Sequence, residues 1–363
     1  MQIADLQFGN SARTSSVPLI MLYSALARPY LFSKDPEVAH ELAIDWMERF
    51  SSFGPALGMM RSLYKSSDPI EVAGLKFVNR VGLAAGMDKD GRAFPAFAAM
   101  GFGHVEVGTV TPEGQPGNPQ PRMFRYPDQW ALINRMGFNN HGAEAMKQRI
   151  AKLYPIGKRD AVLGINLGKA KATPLENAVD DYVKGIQILG EDADYLAINI
   201  SSPNTQGLRE LQGAEYLDGL LGPIRAERDA VAERVARHIP VFLKIAPDAS
   251  FEEIEVILSA LERHGFDGII ATNTTLDRPG PLAEANQAGG LSGAPVTEKS
   301  TEVIAFVAQQ TQGRLPIIGV GGIMKPEHAQ QKLDAGASLV QLYTGFVYGG
   351  PGFPKAVSQA LAV

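Results

Sequence analysis

Polar residues stand at or just after the ends of eight short apolar runs in this sequence, and their types suit a polar, anionic ligand. They are Lys89, Thr109, Asn166, Asn199, Lys244, Thr272 with Asn273, Gly321 with Gly322, and Tyr343 with Thr344. An asparagine amide offers both a donor and an acceptor, as a flat heterocycle requires. The candidates for that role are Asn134, Asn199, Asn204 and Asn273. A single Asn or Thr at a strand end is usually a turn or cap residue, so the prediction of a site rests on the repetition.

Two lysines and two serines could take part in the chemistry. Lys89 could neutralise a substrate carboxylate, and Lys244 lies within an apolar run, where its charge needs a partner. A phosphorylated cofactor with an anionic reduced state would supply that partner, although for each lysine alone a solvated or salt-bridged side chain is an equally good interpretation. Ser201 and Ser202 lie in the segment ISSPNT (200–205). Serine is a poor base, and no histidine is near these two in the sequence to activate them.

The composition excludes several classes of chemistry. The chain has 0 Cys, which removes disulfides, thiolate zinc sites, iron–sulfur clusters held on this chain and a cysteine nucleophile or base. Its 6 histidines include no pair at metal-ligand spacing, so no catalytic metal is expected. The 363 residues are 45% hydrophobic and carry a net charge of −5, which indicates a globular protein and argues against a nucleic-acid-binding surface spread over the whole protein.

Glycines near the C-terminus allow two interpretations. The segment GVGG (319–322) follows an apolar run, but Met324 occupies the place of the third glycine in a dinucleotide fingerprint, so a Rossmann site is disfavoured. In a barrel, Gly321, Gly322 and Gly345 would instead expose backbone N–H groups to a phosphate. Tight turns alone would explain these glycines equally well.

The eight apolar runs alternate with stretches of helical length. The runs are residues 81–86, 104–109, 161–166, 195–200, 240–245, 268–272, 316–320 and 338–343. Helices are predicted over Leu175 to Leu189, Ala214 to Arg237, Phe251 to His264, Glu298 to Gln310 and Pro326 to Ala335. This rhythm predicts an α/β protein with a (β/α)8 TIM barrel over residues 67–363, and an open doubly wound sheet is the main competitor. In a barrel the polar strand ends converge on one rim, where active sites of this fold lie.

The N-terminal part of the chain predicts a small helical extension. Residues 1–16 form an irregular leader without the pattern of a secretory signal. The apolar run Val17 to Ala27 is too short to span a bilayer, and a second helix begins at Asp35 and Pro36 with an apolar stripe at Val38, Leu42, Trp46 and Phe50. The stripe on this two-helix element, residues 17–66, either packs on a neighbouring domain or lies on a membrane and admits a lipid-like molecule.

Ordered motifs over residues 20–363 resemble dihydroorotate dehydrogenases, specifically the membrane-associated, quinone-dependent class. The matching segments are GLAAGMDKDG (82–91), EVGTVTP (106–112), PQPRMFR (119–125), INRMGFNN (133–140), GINLGK (164–169), INISSPNTQGLR (198–209), LKIAPD (243–248), IIATNTT (269–275), GGLSG (289–293), IIGVGGI (317–323) and LVQLYTG (339–345). The resemblance implies an FMN-binding barrel that oxidises dihydroorotate to orotate in pyrimidine synthesis and passes the electrons to a quinone. A soluble relative that uses fumarate or NAD would carry a cysteine base, which this chain lacks, and a non-catalytic flavin-binding barrel is the alternative from another class.

The resemblance also implies roles for individual residues. FMN, one per chain, would contact Ala85, Gly86, Met87, Asp88, Lys89, Thr109, Asn166, Asn199, Lys244, Thr272, Gly293, Gly322, Tyr343 and Thr344. The pyrimidine would be held by Lys89, Asn134, Arg135, Met136, Gly137, Phe138, Asn199, Asn204, Asn273 and Thr274. Ser202 would be the base that removes the C5 proton while hydride leaves C6 for the flavin. It would need a relay, for which Thr205 and Phe138 are the neighbours that match the family. Arg125 and Tyr343 would lie toward the quinone.

By the same resemblance, the N-terminal stripe is better interpreted as the entry for quinone and the membrane contact of residues 17–66. The partners expected are dihydroorotate or orotate and a membrane quinone, with no nucleic acid and no second protein subunit. The enzyme is expected to be a monomer at the cytoplasmic face of the cell membrane, bound peripherally.

Overall fold

Eight parallel strands close into a barrel in this computed structural model, which describes residues 17–205 and 207–362. The leader expected at residues 1–16 lies outside the described residues. The strands, in chain order, are β1 (Ile70–Val72), β2 (Leu75–Phe77), β3 (Val81–Leu83), β4 (His104–Val110), β5 (Glu113–Gln115), β6 (Met123–Tyr126), β7 (Ala131–Asn134), β8 (Asn140–Gly142), β9 (Val162–Leu167), β10 (Tyr195–Asn199), β11 (Val241–Ile245), β12 (Gly268–Ala271), β13 (Gly290–Gly293), β14 (Ile317–Val320) and β15 (Leu339–Leu342).

The barrel order is β10-β11-β12-β14-β15-β3-β4-β9, with β9 paired back onto β10. Each barrel strand coincides with one of the eight predicted runs, so the closed (β/α)8 barrel is confirmed and the open sheet is excluded. The barrel strands are buried along their whole length, as expected for parallel strands covered by helices on the outside and by side chains within.

Three small sheets complete the strand structure of the described residues. The hairpin β1–β2 closes the amino-terminal end of the barrel, because Val72 and Phe77 pack in one cluster with Val162, Tyr195 and Leu339, the first residues of their strands or next to them. At the opposite end, β13, β7 and β6 form an antiparallel sheet, and β5 pairs with β8. These two sheets therefore wall the carboxyl rim, where the polar strand ends converge.

Helices surround the barrel and form the N-terminal extension. They are α1 (Val17–Leu22), α2 (Arg28–Phe32), α3 (Pro36–Ser51), α4 (Gly54–Tyr64), α5 (Phe94–Ala99), α6 (Ala143–Leu153), α7 (Ala178–Leu189), α8 (Ala214–Arg234), α9 (Phe251–Arg263), α10 (Thr297–Gln310), α11 (Pro326–Asp334), α12 (Thr344–Gly349) and α13 (Phe353–Leu361).

Most predicted helix bounds agree with the structure to within one residue, and two do not. Residues Leu175–Asn177 form a separate 3-10 turn, so α7 begins only at Ala178. The helix expected to end at Arg237 ends at Arg234, because Ala236 adopts a left-handed conformation with φ 51° that a helix cannot continue through. Both differences lie at helix ends, where apolar periodicity carries the least information.

The extension contains more helix than the two helices that the sequence predicts. A π-helical turn at Tyr23–Ala27 joins α1 to α2, α3 follows, and α4 is an additional helix. The prediction of two helices was wrong because it did not include α4, which begins at Gly54 with Pro55 in its first turn, a position where proline favours the start of a helix. The start of α3 was predicted correctly, since the Asp35 carboxylate accepts the N–H groups of Glu37 and Val38 at 2.9 and 3.2 Å.

Ion pairs and a split apolar surface define how the extension sits on the barrel. Arg122, beside β6, donates to the Glu37 carboxylate of α3 at 2.7 and 3.0 Å, and both side chains are about nine-tenths buried. The predicted stripe on α3 is not buried as a whole: Val38 and Trp46 are 56% and 48% exposed, and Leu42 and Phe50 are half-buried. Elsewhere on the same helix, Ala39 and Ile44 are buried. Among the described residues, none of the helices is both long and apolar enough to span a membrane.

Candidate active site

A cleft of about 1060 Å³, including its open mouth, lies at the carboxyl ends of the barrel strands. Most of the residues predicted for the site share this cleft: Ala85, Gly86, Lys89, Thr109, Asn134, Met136, Gly137, Phe138, Asn199, Ser202, Asn204, Lys244, Thr272, Asn273, Thr274, Gly293, Gly322, Tyr343 and Thr344. They come from loops and strand ends that are up to about 260 residues apart in the chain and meet only because the barrel closes.

Five predicted residues lie outside the lining of the cleft. Met87 faces a second, apolar cavity, and the Asp88 carboxylate accepts the N–H groups of Arg92 and Ala93 near the start of α5. The guanidinium of Arg135 turns outward to Gln287 and to backbone carbonyls. Asn166 is completely buried beneath the cleft, and Thr205 is buried in the loop after β10. Neighbours in a motif therefore point to different surfaces. The roles expected for these five residues, the relay role of Thr205 included, stay predictions.

A hydrogen-bonded amide network forms one wall of the cleft. Thr109 donates to Asn166 Oδ1 at 2.5 Å and accepts Asn199 Nδ2 at 3.0 Å. Asn273 Nδ2 donates to Ser201 Oγ at 3.0 Å and to Asn199 Oδ1 at 3.4 Å. Because these groups restrain one another, their remaining donors and acceptors are held in fixed directions, as the recognition of a planar ring requires.

Glu106 supplies the charge partner that Lys244 needs, which the sequence reasoning assigned to a cofactor. Lys244 Nζ donates to Glu106 Oε1 at 3.2 Å, and both side chains are buried. Burial alone would raise the pKa of Glu106, but the Lys244 ammonium and hydrogen bonds from Gln341, Asn166 and Tyr195 lower it below the ordinary value for glutamate. Glu106 is therefore ionised, and Lys244 has a charge partner within the protein.

The loop after β10 carries Ser202 into the cleft. Ser202 is 5% exposed, and its Oγ accepts the backbone N–H of Asn204 at 3.3 Å. Asn204 Nδ2 in turn donates to Asn134 Oδ1 at 3.3 Å, which joins this loop to β7 across the cleft. Arg209 donates to the carbonyls of Ser201 and Thr274, both at 3.0 Å. The loop is thus fastened on both sides, with the Ser202 hydroxyl directed to the cleft between them.

A second cavity, of about 830 Å³, lies between the extension and the barrel. Its walls are almost entirely apolar, with side chains from α2 and α3 on one side and Met87, Phe97, Met100 and Phe346 on the other. Arg125 lines it, as predicted, and also donates to Leu31 O at 3.2 Å. Tyr343 lines both this cavity and the polar cleft, and burial raises the pKa of Tyr343 to about 12, so its hydroxyl is neutral.

A polar contact also links the two cavities. Lys89 of the cleft lies 3.2 Å from His40 Nε2, and His40 lines the apolar cavity. Burial lowers the pKa of Lys89, although Glu41 and Glu37 oppose this, and burial with the nearby Lys89 and Arg92 charges lowers the pKa of His40 well below its usual value. His40 is therefore neutral, and its ring can accept a proton of the Lys89 ammonium in a hydrogen bond.

Three residues of this region were missed from the sequence. Glu106 stands in the predicted apolar run 104–109, where an acidic side chain indicates a partner in the protein interior. Gln341 is similarly a polar residue inside the last strand, and it lines the cleft. His40 was considered only as a metal ligand, and among the described residues no group of side chains could hold a metal ion.

The cleft fits a flavin nucleotide by the chemistry of its donors. Gln341 lines it with a buried amide oxygen that has no hydrogen-bond partner among the described residues, which leaves one acceptor for a ligand N–H. Gly322 and Thr344 occupy the rim after β14 and β15, where barrels of this fold commonly bind phosphate. Amides, a buried ammonium and apolar walls together match a ring with both polar edges and flat faces.

Three features identify the class of this protein: the (β/α)8 barrel, its polar cleft, and the apolar cavity between the barrel and the helical extension. A model of the dihydroorotate dehydrogenase family matches residues 69–363, and the chain belongs to this family. Its similarity is to members of the quinone-dependent class: it is 52% identical over 346 residues to the dihydroorotate dehydrogenase (quinone) of Polaromonas naphthalenivorans, which covers 94% of this chain and 98% of that one.

Further relatives agree in sequence and in fold. The dihydroorotate dehydrogenase (quinone) of Delftia acidovorans is 49% identical over 341 residues, 93% of this chain and 97% of that one. The solved structure of ligand-free DHODH from Eimeria tenella superposes with a TM-score of 0.80 at 38% identity, over 90% of this chain and 94% of that one. Similarity over nearly the full length includes the extension as well as the barrel, and it confirms the resemblance drawn from the motifs.

Proposed function

We propose that this chain oxidises dihydroorotate to orotate in pyrimidine synthesis and passes the electrons to a membrane quinone through FMN, one per chain. The observation that carries the proposal is the pair of cavities that share Tyr343: a polar cleft suited to a pyrimidine and a nucleotide, and an apolar cavity suited to a lipid-soluble acceptor. FMN, when bound, supplies a carrier that takes two electrons on one side and releases them on the other.

The resemblance to the family divides the residues of the cleft into two groups. Thr109, Asn199, Lys244 and the rim at Gly322 and Thr344 would hold FMN. Asn134, Asn204, Asn273 and Lys89 would hold the pyrimidine, with the Lys89 ammonium opposite its carboxylate. An anionic substrate also favours the charged form of Lys89 and so opposes the burial that lowers its pKa in the free protein.

Ser202 is the proposed base for the C5 proton. Its hydroxyl lies in the cleft, and the fastening of its loop by Asn204 and Arg209 fixes its direction. An unperturbed serine is too weak a base to act alone, so the proton must pass onward. The Thr205 hydroxyl is the proposed next carrier, and Phe138, which cannot carry a proton, is the proposed apolar neighbour of that route. Phe138 lines the cleft, and Thr205 is buried three residues beyond Ser202.

The extension is the proposed membrane contact. Of the fourteen large apolar side chains exposed among the described residues, nine belong to residues 17–66: Met21, Leu22, Leu26, Tyr30, Val38, Trp46, Phe53, Met59 and Leu63. Residues 1–66 carry as many acidic as basic residues, so binding rests on apolar burial more than on attraction to anionic lipid. We place the enzyme peripherally at the cytoplasmic face of the cell membrane, as a monomer that needs no second protein subunit.

The base can be tested with a matched pair of serine variants. Ser202→Ala should bind flavin as the wild type does, seen in the visible absorbance, but should be reduced by dihydroorotate about 10²–10⁴-fold more slowly, because general base catalysis is lost. Ser292→Ala is the control, since Ser292 also lines the cleft but bonds Thr344 on the other side, at 2.9 Å. Reduction of Ser202→Ala at the rate of the control would remove Ser202 from the mechanism.

A further inference from the structure

A buried carboxylate lies behind Lys244, and the proposed reaction gives it no role. Glu106 is 0% exposed and does not line the cleft, whereas Lys244 does. Its Oε1 accepts from Lys244 Nζ at 3.2 Å and from Asn166 Nδ2 at 2.8 Å. Its Oε2 accepts from Tyr195 OH at 3.0 Å and from Gln341 Nε2 at 2.9 Å. Two donors on each oxygen are what an ionised carboxylate needs inside a barrel.

Several titratable side chains of the described residues lie near Glu106, but only one of them, Lys244, carries a charge that can balance the carboxylate. On its own strand, His104 is neutral, because burial lowers the pKa of its imidazole to about 4 in spite of the carboxylate nearby. On β10, burial and the Glu106 charge raise the pKa of Tyr195 well above its usual value, so the phenol is also neutral. Asn166 on β9 and Gln341 on β15 do not titrate. Among the described residues that meet this carboxylate, Lys244 on β11 is therefore the one positive charge.

We propose that Glu106 is a positioning residue that holds the Lys244 side chain as an ammonium and directs it into the cleft toward the ring of the bound flavin. This rests on the proposed function, since it assumes FMN in the cleft. A lone ammonium in a dry apolar strand is destabilised by desolvation and tends to lose its proton. Because it is paired with Glu106, Lys244 stays charged whether or not the cleft holds a negative charge. The electrostatic field that Lys244 produces in the cleft is then the same throughout the reaction.

Glu106→Gln is the informative variant because it keeps the shape and removes the charge. The new amide N–H₂ can face Tyr195 and Gln341, since the phenol can accept and the unpartnered Gln341 Oε1 can turn toward it. Tyr195→Phe is the matched control, because it removes one hydrogen bond to the same carboxylate and leaves the ion pair intact. The double variant Glu106→Gln/Lys244→Met lacks the Lys244 amine, which is the group expected to titrate in Glu106→Gln.

The test is the absorbance of the oxidised holoenzyme between pH 6 and 9, a range in which oxidised flavin itself does not change charge. The wild type and Tyr195→Phe should be flat, Glu106→Gln should show a new one-proton change, and the double variant should be flat again. Reduction of Glu106→Gln by dihydroorotate should fall at least tenfold toward the alkaline end of the range and recover toward the acidic end. A flat absorbance in Glu106→Gln with reduction as fast as in the wild type overturns the proposal, as does a titration in the wild type.

Thermal unfolding of the same four proteins stripped of flavin separates this proposal from the proposed function. A wild type that never binds flavin ends the proposed function, yet the pair is still tested: Glu106→Gln should unfold at a lower temperature, and the added Lys244→Met should restore at least half of the loss. Equal midpoints in all four overturn the pairing. If Glu106→Gln does not fold, a folded double variant supports the proposal, and an unfolded one shows that Glu106 acts on the fold and not through Lys244.

Discussion

Replacement of Arg122 by methionine should loosen the extension from the barrel and separate the two half-reactions. Arg122 is the buried link between α3 and β6: it donates to Glu37 at 2.7 Å and to the carbonyls of Pro116 and Asn118 at 2.6 and 2.8 Å. Arg122→Met leaves the Glu37 carboxylate buried without a partner and removes the donors from both carbonyls. Because α3 also carries Ala39 and His40 into the apolar cavity, the wall of that cavity moves with it.

The magnitude follows from burial. The two side chains are only 9% and 10% exposed, so the loss falls in the range of a broken buried pair, about 3–5 kcal/mol. With about 2.1 cal/mol/K of unfolding entropy per residue, 363 residues convert this to a fall in Tm of about 4–7 °C. Arg61→Met is the matched control, since Arg61 of α4 pairs with Asp160 but both are about half exposed. Its expected cost is below about 1 kcal/mol, or about 1 °C.

Two assays decide the outcome. Thermal unfolding gives the stability, and stopped-flow absorbance compares flavin reduction by dihydroorotate with reoxidation by a quinone. Arg122→Met should lose more than tenfold in reoxidation and less than threefold in reduction. Glu37→Leu/Arg122→Met should recover at least half of the lost Tm, because two apolar side chains leave no buried charge. An Arg122→Met protein as stable as the Arg61→Met control, or an equal loss in both half-reactions, would refute the reasoning.

Other expectations follow from single features of the structure. Leu26→Gln/Met59→Gln should weaken binding to neutral lipid vesicles at least tenfold with little change in Tm, because both side chains are 60% exposed or more; unchanged vesicle binding would place the membrane contact elsewhere. Burial tends to raise the pKa of Asp248, but Lys299 and other donors lower it to about 2 in the folded protein. This lowered pKa stabilises the fold above the unfolded value of about 3.9, and the gain is lost as the pH falls toward 2. The difference in unfolding free energy between the wild type and Asp248→Asn should therefore shrink from pH 5 to pH 2, and a difference independent of pH would contradict it. Tyr182→Phe should cost about 1 kcal/mol, since it removes the 2.9 Å bond to the carbonyl of Asn199, and chemical denaturation measures it.

The barrel was predictable because its strands are buried on both sides. Runs such as 195–200 and 316–320 are apolar without alternation, and polar residues at their ends mark the carboxyl rim. Residues next to a strand end, such as Thr109 and Asn199, were therefore placed correctly in the cleft. Closure of the sheet brings these residues together independently of the loop conformations. Much of the site could therefore be predicted from apolar periodicity and sequence motifs.

What could not be predicted depends on the direction of single side chains. Met87 and Asp88 are neighbours of Gly86 and Lys89 in the chain. Met87 faces the apolar cavity, however, and Asp88 accepts backbone N–H groups just before α5. The partner of Lys244 was assigned to a ligand because the sequence does not show that Glu106, 138 residues away, lies across the barrel interior. Pairing across a closed barrel is set by register and shear, which hydrophobic pattern alone does not specify.

In the proposed reaction, dihydroorotate reacts in the polar cleft and quinone reacts in the apolar cavity. An anaerobic titration of the purified protein in two steps tests this proposal most directly. Dihydroorotate is added first while the flavin absorbance is followed, and a short-chain quinone is added second. The expected result is bleaching by about one equivalent of dihydroorotate per chain and full recovery of the absorbance on addition of quinone. A protein without flavin absorbance, flavin that dihydroorotate does not bleach, or bleached flavin that quinone does not restore would contradict the account.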